Sequence, residues 1–220
     1  MAEDEEEAEN KVVLIGETGV GKTCIINQFM TGEFHEESLP TLTCQFCKKK
    51  FKFQDDKSIT IDIWDTAGQE QYRSLNRLFY KNAKAVVLVY DVTNKASYEE
   101  IKSYWSGQIK QYCDNSIIIA LAGNKSDLYE DRQVEDEEAE KYAKSINAIF
   151  ASTSAKNDSG INELFENISM KMLKAEEKTK KDEPENVKKG KKVRKENNKE
   201  NSNKNVKLIN KKVKNKNNCC

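Results

Sequence analysis

Eight residues near the start of the chain, Gly16-Glu-Thr-Gly-Val-Gly-Lys22-Thr23, match the spacing G-x-x-x-x-G-K-[ST]. The glycines let the backbone curl so that successive N–H groups face phosphate oxygens, and a following helix N-terminus adds its partial positive charge. In this arrangement Lys22 reaches the β- and γ-phosphates and the Thr23 hydroxyl can bind Mg²⁺. The motif needs a strand before it and a helix after it. Lys11–Ile15 is a short apolar run of strand type, and Gly21–Met30 reads as a helix. The implied ligand is a nucleoside triphosphate, with the base left open.

Two further motifs address the base and the reaction. Asn124-Lys-Ser-Asp127 follows the apolar run 117–123. The Asp127 carboxylate can accept from both N1–H and the exocyclic amine of guanine. Adenine lacks that pair of donors, so a site built this way rejects it. Asp65-Thr-Ala-Gly-Gln69 follows the alternating run Ile59, Ile61, Ile63 and Trp64. Asp65 stands where it can serve Mg²⁺, Gly68 lets the backbone approach a γ-phosphate, and Gln69 can orient an attacking water. All three motifs fall at the C-terminal ends of predicted strands, where open α/β sheets bind ligands.

The elements that must position these residues are legible as alternating strands and helices. Ala85–Tyr90 and Ile117–Ala122 are continuous apolar runs, as in strands covered on both faces. Ser97–Gln111 and Glu137–Ile146 read as helices, and Ala148–Ser152 as a short last strand. Ile161, Leu164, Phe165, Ile168 and Met172 mark one face of a helix starting near Ser159 or Gly160. The runs 46–53 and 59–64 are joined by a short polar turn and should pair antiparallel, with Lys48, Lys50 and Lys52 guarding an edge. The expected fold is α/β: a P-loop NTPase with a mostly parallel six-stranded sheet, one antiparallel strand, and helices on both faces.

Composition narrows the class. The 220 residues carry 37 basic and 37 acidic side chains, but the balance is uneven. From Lys174 onward there are 17 basic and 7 acidic residues, against 20 and 30 before it. This suggests an acidic folded body at 11–173, a disordered acidic lead at 1–10, and a disordered basic tail at 174–220. No apolar run approaches the roughly 20 residues of a membrane helix, and the acidic start does not resemble a secretory signal. A single histidine, His35, excludes a His-rich metal site, and the six cysteines lack zinc spacing. An acidic body without a recognition motif argues against nucleic acid.

With these motifs the chain resembles a Ras-superfamily small GTPase, and within it the Rab family. The resemblance covers 11–173 and the final Cys219-Cys220, and rests on Gly16–Thr23, Thr41, Trp64–Glu70, Asn124–Asp127 and Ser154-Ala-Lys156. The Thr41-Leu-Thr-Cys-Gln-Phe46 segment looks most like the endocytic branch, with Thr43 where a glycine is common. The resemblance implies a GTP/GDP switch that regulates vesicle-mediated membrane trafficking, hydrolyses GTP and recruits effectors. The alternatives are a GTP-binding scaffold with little hydrolysis and a small GTPase of another branch. It implies nucleotide binding by Thr18, Gly19, Val20, Gly21, Lys22, Thr23, Cys24, Phe34, Thr41, Gly68, Asn124, Lys125, Asp127, Ser154, Ala155 and Lys156. Mg²⁺ is expected at Thr23, Thr41 and Asp65, catalysis at Gln69, effector contact at Phe46, Trp64 and Phe79, and prenylation at Cys219 and Cys220. The implied partners are an exchange factor, a GTPase-activating protein, effectors and a prenyl-binding chaperone. The implied location is the cytoplasmic face of an intracellular membrane, with a cytosolic pool. The intervening tail, about 45 residues of coil, would span roughly 35–40 Å r.m.s..

Overall fold

The computed structural model describes residues 10–36, 41, 45–66, 80 and 82–182, apart from the side chains of Gln45 and of 179–182. Two compact units are separable, Met1–Lys174 and Ala175–Cys220. Gly68, Gln69, Phe79, Cys219 and Cys220 lie outside the described residues, as do the lead before Asn10 and the tail after Asp182.

Six strands form one sheet in the order β2-β3-β1-β4-β5-β6. They are β1 (Lys11–Ile15), β2 (Gln45–Lys52), β3 (Ser58–Asp65), β4 (Ala85–Asp91), β5 (Ile118–Asn124) and β6 (Ile149–Ser152). All neighbours pair parallel except β2 with β3, which run antiparallel from Gln45↔Asp65 to Lys52↔Ser58. The hairpin between them turns through Asp55 and Asp56, both with positive φ. That conformation matches the right-handed twist of the strands it joins. β4 is buried along its whole length, as the apolar run Ala85–Tyr90 requires, and ends in the buried Asp91.

Helices close both faces: α1 (Lys22–Thr31), α2 (Lys95–Glu100, Ile101–Trp105 and Ser106–Tyr112 in succession), α3 (Asp136–Ser145) and α4 (Ile161–Asp182). One core packs Ile25 and Phe29 of α1 and Leu164, Phe165 and Ile168 of α4 against Val12, Leu14, Val87 and Ile61. Phe29 and Phe165 stack with ring centroids 4.3 Å apart. The opposite core packs Ile101, Trp105 and Ile109 of α2 and Ala139 and Ala143 of α3 against Val13, Val86, Leu88 and Leu121.

Two elements depart from the sequence-based expectation. The middle of α2, Ile101–Trp105, is a π-turn, an insertion that apolar periodicity does not reveal. The final helix runs to Asp182, ten residues past the last apolar position at Met172. Most residues of its extra turns are strong helix formers, Leu, Ala, Glu and Lys. Among the described residues no helix is long and apolar enough to cross a membrane.

Candidate functional site

The loop between β1 and α1 is shaped by glycines that no other residue replaces cheaply. Gly21 caps α1 with φ +93°, and a Cβ there would lie 2.3 Å from Asn124 Nδ2. Gly16 has φ +147°, and its Cβ would fall 2.2 Å from the Val89 carbonyl oxygen. The loop thus closes directly onto β4 and β5, and the first turn of α1 opens into the space above.

Lys22, the first residue of α1, is 5 % exposed, and its ammonium donates to the carbonyls of Gly16 at 2.9 Å and Glu17 at 2.8 Å. Burial lowers its pKa to about 8, against the raising influence of Asp65 and Glu17. Thr23 donates to Asp65 Oδ2 at 2.6 Å and shares a 2.5 Å hydrogen bond with the Thr41 hydroxyl. Burial raises the Asp65 pKa, with the Thr23 hydrogen bond and Lys22 working the other way. Asp65 Oδ1 is buried and has no hydrogen-bond partner among the described residues. Two hydroxyls and a carboxylate with an unsatisfied buried oxygen form an all-oxygen donor set, the chemistry a hard divalent cation takes. The residues present therefore fit Mg²⁺.

The opposite wall comes from the ends of β5 and β6. Asn124 donates through Nδ2 to the Val20 carbonyl at 2.9 Å and accepts from Thr153 at 3.4 Å. It ties the phosphate-type loop to the β5–β6 end of the sheet. Lys125, at φ +66°, pairs with Asp91 Oδ2 at 2.7 Å. The other oxygen of Asp91 accepts from the Thr93 backbone at 2.9 Å and hydroxyl at 2.7 Å. Ser154 donates to Asp127 Oδ1 at 2.5 Å and accepts from the Asn157 N–H at 3.1 Å. One Asp127 oxygen is thereby fixed, and the carboxylate plane with it. Lys156 lies 3.8 Å from Glu36, both well exposed.

Between these walls is a cavity of about 440 Å³, within the usual range of small-molecule sites. It brings together Thr18, Gly19, Gly21, Lys22, Thr23, Cys24, Phe34, Thr41, Asn124, Lys125, Asp127, Ala155 and Lys156. Val20 and Ser154 stand behind the lining. The Val20 side chain is in the core and its carbonyl holds Asn124, while Ser154 holds Asp127. Asp65 reaches the cavity edge through its bond to Thr23. Glu36, Thr66 and Leu128 also line the cavity; Thr66 lies within the Asp65–Gln69 motif without a role assigned to it, and Glu36 and Leu128 fall in no motif. Asp91 and Thr153 support the wall at the ends of β5 and β6. The Asp91-Val-Thr93 spacing at a strand end is the signal for Asp91, since aspartate there bonds the backbone two residues on.

Phe46 is 48 % exposed at the outer edge of the sheet, and its ring lies 5.2 Å from that of Trp64, its cross-strand partner. Trp64 also receives the Lys11 ammonium 4.4 Å above its ring. At the loop, the Trp105 indole N–H donates to Glu17 at 3.2 Å, so the π-turn of α2 reaches the residue after Gly16.

Residues 11–174 match the Ras family. The chain is 42% identical over 164 residues to the Ras-related protein Rab-22A of Mus musculus, covering 74% of this chain and 84% of that protein. It is 41% identical over 164 residues to Rab-22A of Homo sapiens, with the same coverage. Against Rab-22A of Canis lupus familiaris it is 40% identical over 168 residues, 76% of this chain and 86% of the other.

Proposed function

The chain belongs to the Ras family and, within it, to the Rab small GTPases, and on that premise we propose how its residues divide the work of binding and hydrolysing GTP. It is a GTP hydrolase of membrane trafficking, similar to the Rab-22A proteins of the endocytic branch. The observation that supports the division is the cavity itself, with a buried ammonium and oxygen cluster on one wall and a braced carboxylate on the other.

The N–H groups of Thr18 to Cys24 and the Lys22 ammonium hold the phosphates, helped by the positive end of α1. Lys22 trades its two backbone carbonyls for phosphate oxygens, a stronger charge-assisted pairing for a buried ammonium. Thr23, Thr41 and Asp65 hold Mg²⁺, which neutralises charge on the phosphates when bound. Asp127 reads the guanine edge with its orientation fixed by Ser154. Ala155 offers a backbone N–H to the base oxygen, and Phe34, Lys125 and Lys156 pack about the base. Gln69 orients the attacking water and Gly68 admits the γ-phosphate. Positioning and charge neutralisation carry the reaction, with little covalent chemistry. Turnover by the chain alone is slow, and a GTPase-activating partner that supplies an arginine accelerates it by about 10³ to 10⁵.

Thr41 and the segment from Asp65 to Arg73 form the GTP-sensitive surface, because only a γ-phosphate satisfies Thr41 and Gly68 together. Effectors read that state beside Phe46, Trp64 and Phe79. An exchange factor and a prenyl-binding chaperone complete the cycle. Geranylgeranyl groups on Cys219 and Cys220 anchor the chain to the cytoplasmic face of an intracellular membrane, since two lipid chains hold where one binds marginally. The tail lysines add about 1 kcal/mol each near an anionic surface.

Single-turnover hydrolysis of the wild type and Gln69→Leu tests the catalytic assignment. A markedly slower variant is expected, and equal rates would remove Gln69 from the mechanism. Mass spectrometry of the C-terminal peptide from a eukaryotic host tests the anchor, and a free dithiol would count against it.

A further inference from the structure

One face of the sheet is left open where β2 and β3 run beyond the helices. Along β2 and just past its end the inward positions 47, 49, 51 and 53 pack toward α1, and the even positions of β2 point the other way. Lys48, Lys50 and Lys52 therefore form an exposed row, registered opposite Asp62, Thr60 and Ser58. Lys48 is 3.7 Å from Asp62, whereas Lys50 and Lys52 have no ion-pair partner among the described residues. Lys11 enters the same face from β1, opposite Asp62.

The chain upstream of β1 arrives at this row. Asn10 accepts from the Asp62 N–H at 3.0 Å, and its side-chain amide donates to the Thr60 carbonyl at 3.1 Å. Backbone groups alternate sides along a strand, so those of Thr60 and Ser58 face the β1 side as those of Asp62 do. Before Asn10 come nine residues, six of them acidic: Glu3, Asp4, Glu5, Glu6, Glu7 and Glu9. Were β1 extended backward, the parallel register Lys11↔Asp62 carried back in steps of two would set position 9 beside Thr60 and position 7 beside Ser58. Side chains two apart share a face, so in such an extension Glu9 and Glu7 would fall on the lysine face, across Thr60 from Lys50 and across Ser58 from Lys52. Two strand spacings are about 9–10 Å, a gap that a glutamate and a lysine reaching toward each other can close.

We propose that the lysine row of β2 is the docking surface for this chain's own acidic lead, Met1–Glu9, which lies along β3 as an extension of β1. The added pairing covers Thr60 and Ser58, neutralises Lys50 and Lys52, and shields a basic patch continuous with Phe46 and Trp64 from other anionic surfaces. Individual exposed ion pairs are weak, so the strand register does the aligning and the charges select the partner.

Zero-length carbodiimide coupling of the full chain, followed by peptide mass spectrometry, tests this. The expected products join Glu7 or Glu9 to Lys50 or Lys52, and they fall away near 1 M salt, where the Debye length is about 3 Å. Lead carboxylates coupled only to lysines of the 174–218 tail, or not coupled at all, would overturn the proposal. A second arm compares amide hydrogen exchange at Ser58–Thr60 in the wild type and in a variant with the six lead acids changed to Gln or Asn. Slower exchange in the wild type is expected, and equal exchange would overturn it. A third arm measures binding of both proteins to phosphatidylserine vesicles. The variant should bind more tightly through the uncovered lysines, and no difference would mean that the lead does not occupy them.

Discussion

The two walls of the cavity solve opposite problems. On the wall built from the ends of β5 and β6, the side proposed to take the base, three side chains already have internal partners: Asn124 on Val20 and Thr153, Lys125 on Asp91, Asp127 on Ser154. On the phosphate side the charges are buried against their preference, with Lys22 pushed down, Asp65 pushed up, and one Asp65 oxygen without a partner among the described residues. A braced wall discriminates, because rejecting the wrong base depends on donors and acceptors that do not move. Under the proposed division a strained wall binds, because phosphate and cation would relieve its buried charges.

If that contrast holds, the largest break is Lys22→Ala. Losing charge-assisted hydrogen bonds at about 1.5–3 kcal/mol each should weaken phosphate binding by on the order of 10² to 10⁴. GTP and ATP should suffer equally in competition titrations, and a selective loss would contradict the division. Gly21→Ala attacks the join between the walls, since its Cβ would meet Asn124 Nδ2 at 2.3 Å in a left-handed backbone. A loss of about 1–3 kcal/mol is expected from strain, read as a fall of several degrees in Tm together with weaker nucleotide binding.

A pH titration sharpens the comparison. The folded Lys22 pKa of about 8 lies below its ordinary 10.5. Between those values the unfolded chain holds a proton that the ligand-free fold does not, so this group makes the ligand-free protein more stable as pH rises across the window. Phosphate binding requires the protonated ammonium, so affinity should fall up to about tenfold per unit above pH 8. Fluorescence titration with a labelled nucleotide reads this, and a flat profile to pH 9 would show that Lys22 keeps its proton there despite its burial. The smallest effect is expected from Thr153→Val, which removes the 3.4 Å bond to Asn124. It should cost about 1 kcal/mol in urea unfolding and slightly loosen base discrimination.

Much of this was readable in the residues. The apolar runs of β1, β4 and β5 and the spacing of Ile161 to Met172 declare strands and a helix because burial imposes their periods. The loop glycines and Asp127 are readable because few other residues can do their tasks. The π-turn at Ile101–Trp105 was not, since a one-residue insertion leaves no compositional mark. Neither was the continuation of α4 to Asp182, where propensity rather than burial sustains the helix. Glu36, Thr66 and Leu128 stand beside predicted site residues, but their residue types carry no mark of a place in the cavity lining.

The most direct test of the central claim is base preference in the protein stripped of nucleotide and offered GTP and ATP with Mg²⁺. A carboxylate held by Ser154 at the base-side wall predicts a guanine preference on the order of 10³ or more, abolished by Asp127→Ala while phosphate affinity remains. Equal affinity for the two triphosphates in the wild-type protein would contradict the account.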